Sequence, residues 1–165
     1  MTLGFAVLLF VTLQRGGELL IARRNTRRLM ARGAVEVGSG HYPLIVLLHA
    51  SWLVGLWWLG WNRPVNPGWL AAFAALQAGR VWVLVTLGER WTTRIIVLPG
   101  AAPIRSGPYR FLSHPNYWVV AGEMAVLPLA FGLPVWALTF SILNAAVLAI
   151  RIRAENRAWA EHSLI

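Results

Sequence analysis

Five apolar runs, at residues 1–22, 42–61, 69–87, 117–133 and 134–152, take up most of the chain and leave no stretch long enough for a soluble core. About 20 residues of α-helix cross a bilayer core, and only helices or closed barrels satisfy every backbone polar group there. Each run is therefore predicted to be a transmembrane helix. FGLP, residues 131–134, is all that separates the last two, which fits a helical hairpin. The first of that pair is short and contains Pro128, so a tilted or kinked helix is expected. The predicted fold is all-α: a polytopic membrane protein of about five transmembrane helices forming one domain, 1–165, with a C-terminal helical hairpin. A cytoplasmic, amphipathic tail helix is expected beyond Arg151.

Composition supports this class and narrows the partners. Hydrophobic residues make up 58% of the chain and ten are Trp, against about 45–50% apolar in ordinary globular proteins. The formal charge of +9 comes from fifteen Arg and six Glu, with no Lys and no Asp. Twelve of the Arg fall in three short segments: five in 23–41, four in 88–116 and three in the tail. The positive-inside rule makes those segments cytoplasmic and the N-terminus external. NRPVNPG, residues 62–68, has a single Arg and reads as an outside turn. Nucleic-acid binding needs a soluble basic face, and no segment offers one. The absence of Cys removes disulfides and thiolate metal sites, and no metal is expected. MTLGFAVLLFVTL lacks a basic leader and a small-residue cleavage site, so it reads as a first span rather than a signal peptide.

Several polar residues lie inside these spans. Arg15 and Glu18, three apart, share a helix face; they are either a snorkelling pair or a functional one. Gln77 and Arg80 are spaced the same way in the third run. A charge at that depth costs about 2.5–3.5 kcal/mol on insertion scales, so Arg80 is expected to pair with Glu18 or Glu123 in a structural ion pair. His49 is expected to form an interhelical hydrogen bond.

Two polar islands interrupt the pattern: GPYRFLSHPNY, Gly107 to Tyr117, and RIRAEN, Arg151 to Asn156. Both are predicted at the cytoplasmic face, where they meet in one site. The first crowds Tyr109, Arg110, His114, Asn116 and Tyr117 together, with Pro108 and Pro115 stiffening the backbone. In the second, Arg151 and Glu155 are four apart on one helix face, as a surface salt bridge or as part of the site.

GPYRFLSHPNY resembles the GPYR and RHPxY signature of membrane-integral methyltransferases related to isoprenylcysteine carboxyl methyltransferase, and RIRAEN resembles that family's RxxxE element. The resemblance covers roughly residues 80–160. It implies S-adenosylmethionine as cofactor, bound by a part of the chain spanning about 88–160. Its pocket would be lined by Ala101, Ala102, Pro103, Ile104, Tyr109, His114, Pro115, Asn116, Tyr117, Arg151 and Glu155. It also implies a lipophilic acceptor, prenylcysteine-like or alkylpyrone-like, that enters sideways from the membrane lipid, and a setting in a bacterial inner membrane. Arg151 and Glu123 are the candidates for catalytic roles; Glu123 would orient or deprotonate a hydroxyl acceptor, or else pair with Arg80. Ser113 stands where the family usually has Arg, Val119 where many members have Gly, and Asn156 where a second acid is common. Sterol-reductase-type enzymes, which use NADPH, resemble the same C-terminal hairpin, and a non-catalytic scaffold is the third alternative.

Overall fold

The computed structural model describes residues 2–162, with side chains through residue 158. Its helices are α1 (Leu3–Ala31), α2 (Tyr42–Gly60), α3 (Pro67–Leu87), α4 (Pro115–Ala130) and α5 (Pro134–His162). Four of them are long and apolar enough to cross a membrane. The exception is α4, whose 16 residues span about 24 Å at 1.5 Å per residue, short of a hydrocarbon core about 30 Å thick.

Local sequence explains the helix boundaries. Thr2 caps α1, its Oγ1 accepting from the Phe5 amide, and Asn66 caps α3 by accepting from the amides of Gly68 and Trp69. Proline opens α3, α4 and α5 at a position where its missing N–H costs nothing. Two sequence expectations about boundaries are revised. The first helix does not end at residue 22: α1 runs on through residues 23–31, because Arg, Ala, Leu and Met favour helix and the first break is Gly33. That glycine, at φ +84°, donates its amide to the Met30 carbonyl while Ala34 donates to Leu29, a helix stop that needs a left-handed residue. The tail beyond Arg151 is not a separate helix either, since nothing between Pro134 and His162 interrupts α5.

Two three-residue strands were not anticipated. β1 (Val35–Val37), between α1 and α2, pairs antiparallel with β2 (Ile95–Val97), between α3 and α4, placing Val35 opposite Val97 and Val37 opposite Ile95. Val37, Ile95 and Val97 pack in one cluster with Ala154 and Ala158 of α5. The two long connections and the end of α5 are thereby gathered at the arginine-rich end of the bundle.

In the bundle α4 is the inner helix, packed between α3 and α5. Gly122 permits the close approach to α3: a Cβ there would lie 2.8 Å from Leu76 Cδ2. The main core, including Leu8, Trp52, Leu56, Phe73, Leu127 and Phe131, fills the half away from the arginines. Its turns are tied together by the Asn66 amide donating to the Ala130 carbonyl at 2.8 Å and by Thr2 Oγ1 donating to the Trp61 carbonyl at 2.9 Å.

Between core and arginine-rich end lies a charge cluster. Arg80, 3% exposed, donates to Glu18 Oε2 from Nη1 at 3.0 Å and to Glu123 Oε1 from Nε at 2.8 Å, and Nη2 reaches Glu123 Oε2. Arg15 completes a ring, donating to Glu18 Oε2 at 2.8 Å and Glu123 Oε2 at 2.6 Å. Gln77 donates to Glu123 Oε1 at 2.6 Å, and Gln14 donates to Gln77 and Glu18. Arg80 thus has both expected partners, and the ring's formal charge is zero. His49 behaves otherwise than expected: its Nδ1 contacts the Ile45 carbonyl at 2.9 Å, one turn back on its own helix, instead of bridging helices.

Removing one member of a buried ion network strands the rest, at about 3–5 kcal/mol, whereas removing a matched pair costs much less. Arg80→Met should therefore destabilise the detergent-solubilised protein more than Arg80→Met combined with Glu123→Met, which leaves the Arg15–Glu18 pair whole. Thermal unfolding of the three proteins checks this ordering.

Candidate active site

A cavity of about 860 Å³ opens at the arginine-rich end, within the range of about 300–1,000 Å³ usual for small-molecule sites. Five parts of the chain wall it: the end of α1 at Leu29, residues 87–98 with β2, the limb 100–104, the segment holding Tyr109 to Tyr117, and α5 at Arg151, Glu155 and Asn156. Of the residues singled out in the sequence for cofactor binding, all line this cavity except Pro115, which is buried behind it at the start of α4.

The GPYR segment reaches the cavity through a strained turn. Gly107 has φ +54°, and a Cβ there would come within 2.4 Å of Thr86 Oγ1 at the end of α3. Only glycine combines that backbone with that contact. The 3₁₀ turn Gly107–Arg110 follows and delivers Tyr109 against the buried cluster of Ala22, Val83 and Trp91. Pro115 then starts α4 and sets Asn116 and Tyr117 in its first turn.

Tyr117 is the junction of the two islands. Its hydroxyl donates to Glu155 Oε2 at 2.5 Å and accepts from Arg151 Nε at 2.8 Å. Arg151 Nη1 also donates to the Thr93 carbonyl at 2.9 Å, linking α5 to the segment before β2. The His114 ring stacks on Tyr117 with centroids 5.1 Å apart, and its Nδ1 is 3.7 Å from Glu155 Oε2. Arg151 and Glu155, four apart, do not pair with each other as a surface bridge would; each bonds to the phenol between them. At Tyr109, burial first and the charge of Glu155 second push the phenol up to about 12.

Two polar atoms in the wall lack a partner among the described residues, Asn116 Oδ1 and Trp91 Nε1. A buried polar atom without a partner costs about 1–3 kcal/mol, so one acceptor and one donor behind the cavity surface are left unsatisfied. Glu123 is not at this site. It lies in the charge cluster, 2% exposed, and does not line the cavity. Sequence reasoning missed Arg90, Trp91, Thr93 and β2. Arg90 Nη1 donates to the Ala102 carbonyl at 2.6 Å and props the 100–104 limb; Arg94 donates twice to Glu36, at 2.9 Å each, and closes the strand pair. The polar run RWTTR, Arg90 to Arg94, between two apolar stretches was the available signal.

Comparison with known proteins assigns the chain to a family. Residues 69–161 match the profile of the isoprenylcysteine carboxyl methyltransferase (ICMT) family. A Bacillus subtilis (strain 168) protein described as uncharacterized protein YpbQ is 38% identical over 156 residues, covering 92% of this chain and 93% of the relative. An uncharacterized protein of Haemophilus influenzae is 28% identical over 148 residues, 86% of each chain. No solved structure gives a significant match. The chain belongs to the ICMT family, whose members are membrane-bound methyltransferases.

The Tyr109 shift has a measurable consequence. Because the folded state holds this proton above the ordinary tyrosine value near 10, the unfolded chain binds fewer protons between pH 10 and about 12. Stability from this group is intact below pH 10 and is lost as pH rises through that window. Absorbance titration at 295 nm should show a step near pH 12 that is missing in Tyr109→Phe.

Proposed function

We propose that the protein is an integral membrane O-methyltransferase that uses S-adenosylmethionine, bound in the cavity at the arginine-rich end, to methylate a lipophilic carboxylate or hydroxyl acceptor. The observation that carries this reading is the convergence of His114, Asn116 and Tyr117 with Arg151 and Glu155 on one cavity wall.

The residues fit that cofactor in kind. When bound, it supplies a methyl group on a sulfonium centre, together with an amino-acid end and a ribose diol. The stacked rings of His114 and Tyr117 offer aromatic faces to a cation or a base. Arg151 spends Nε and Nη1 on Tyr117 and Thr93, and its planar fork suits a carboxylate. Glu155 accepts from Tyr117 through Oε2 and can accept from an ammonium or a hydroxyl. The apolar wall at Leu29, Leu87 and Ile95 to Leu98 suits a lipid-like acceptor. Such a site acts by alignment and desolvation, which suffices for a carboxylate that is already a nucleophile.

The placement in the membrane follows the same reading. With the arginine-rich end on the cytoplasmic side of a bacterial inner membrane, a soluble cofactor reaches the cavity from the cytosol and the acceptor reaches it from the bilayer.

Calorimetric titration of detergent-solubilised protein with the demethylated cofactor, S-adenosylhomocysteine, tests the assignment. Binding is expected in the wild type and at least tenfold weaker in His114→Ala and Glu155→Ala. No heat in the wild type, or undiminished affinity in both variants, rejects it. Mass spectrometry of lipid extracts incubated with isotopically labelled methyl donor then identifies the acceptor.

A further inference from the structure

We propose that α1, which lies wholly outside the segment matched to the family, is a positioning element of the cavity. Asn25 holds the cavity wall, and the intramembrane charge cluster sets the height at which Asn25 stands. The proposal rests on reading the cavity as a cofactor site.

Asn25 is 5% exposed on the buried stripe of α1, with Glu18, Ala22 and Leu29. Its Nδ2 donates to two carbonyls of another segment, Gly88 at 3.1 Å and Trp91 at 2.9 Å. These carbonyls bracket the 3₁₀ turn Gly88–Arg90 that ends α3 and begins the cavity wall. Both hydrogens of one amide therefore fix the backbone from which Trp91, and then β2, are directed at the cavity. From the same turn Arg90 props the 100–104 limb. One turn beyond Asn25, Leu29 lines the cavity itself.

The position of Asn25 along the bundle axis is set seven residues earlier. Glu18 and Arg15 are joined to Arg80 and Glu123, and the intervening two turns of helix are a rigid spacer of about 10 Å. A slip of one residue rotates α1 by about 100° and moves it by about 1.5 Å, which breaks the contacts of Gln14, Arg15 and Glu18 with α3 and α4. In this cluster Glu123 accepts from four nitrogens: Nε and Nη2 of Arg80, Nη2 of Arg15 and Nε2 of Gln77. Two carboxylate oxygens offer about four acceptor sites, so its capacity is filled. The geometry assigns Glu123 to positioning α1 rather than to taking a proton from an acceptor.

The test compares Asn25→Leu and Asn25→Ala, which remove the donor, with Thr12→Val, which breaks the hydrogen bond from Trp57 to α1 at the far end of the bundle. Hydrogen exchange of residues 91–97 in ligand-free protein, S-adenosylhomocysteine affinity and unfolding temperature are measured for each. Both Asn25 variants are expected to exchange faster at 91–97 and to bind at least tenfold more weakly. Thr12→Val is expected to change the unfolding temperature alone. Wild-type exchange and affinity in both Asn25 variants, or an equal loss of affinity in Thr12→Val, overturns the proposal. Absence of binding in the wild type would instead reject the cofactor reading, while the exchange data would still decide whether Asn25 holds the wall.

Discussion

The ring of Arg15, Glu18, Arg80 and Glu123 is the interaction on which the arrangement of helices depends. In a bilayer the apolar surfaces of two helices gain little from meeting, because lipid is as apolar as they are. Long guanidinium and carboxylate side chains change that, since each would be stranded in hydrocarbon without the others. They join three helices, α1, α3 and α4, and the zero net charge of the ring makes burial tolerable. A polar contact that is expensive to lose specifies which faces meet better than interchangeable leucines do.

From that ring toward the arginine-rich end, the chain departs from simple helix packing. The short pair β1 and β2, the Gly107 turn and the Tyr117–Arg151–Glu155 junction each join segments far apart in sequence. The strand ladder and the Tyr117 junction are polar and directional, which suits backbone that leaves helical geometry beside a cavity. The molecule thus separates two tasks along its axis: the apolar half packs and caps its turns, and the polar half builds concave surface. The shortness of α4 belongs to this division, since its first turn is part of the cavity wall rather than of the hydrocarbon-facing bundle.

Much of this was legible residue by residue. The apolar runs located all five helices, and the cost of a lone charge in lipid predicted that Arg80 would meet Glu18 or Glu123. The crowding of His114, Asn116 and Tyr117 near one end, with Arg151 and Glu155 on a second segment, located one wall of the cavity. The boundary of α1 was missed because arginine signals a membrane edge in hydropathy terms while remaining a good helix former. The strands were missed because three residues carry too little alternation to be recognised, and their stability comes from pairing across 60 residues of chain. His49 was expected to reach a neighbouring helix, but a carbonyl one turn away on its own helix is the nearer acceptor.

The amino-acid sequence by itself determined that this chain crosses a membrane, where its helices begin to within a few residues, and which side chains are too polar to face lipid. These follow from local physics: hydropathy over about 20 residues, caps, prolines and the desolvation of charge. Only the tertiary structure decided how the polar side chains are divided. Glu123 and Tyr117, six residues apart on one helix, belong to different assemblies because their side chains leave α4 toward different neighbours. Tyr117 meets α5 and a cavity; Glu123 meets α1 and α3 and has its acceptor capacity filled. Helix periodicity limits which faces are available, but the neighbour each face meets is set by packing between distant parts of the chain.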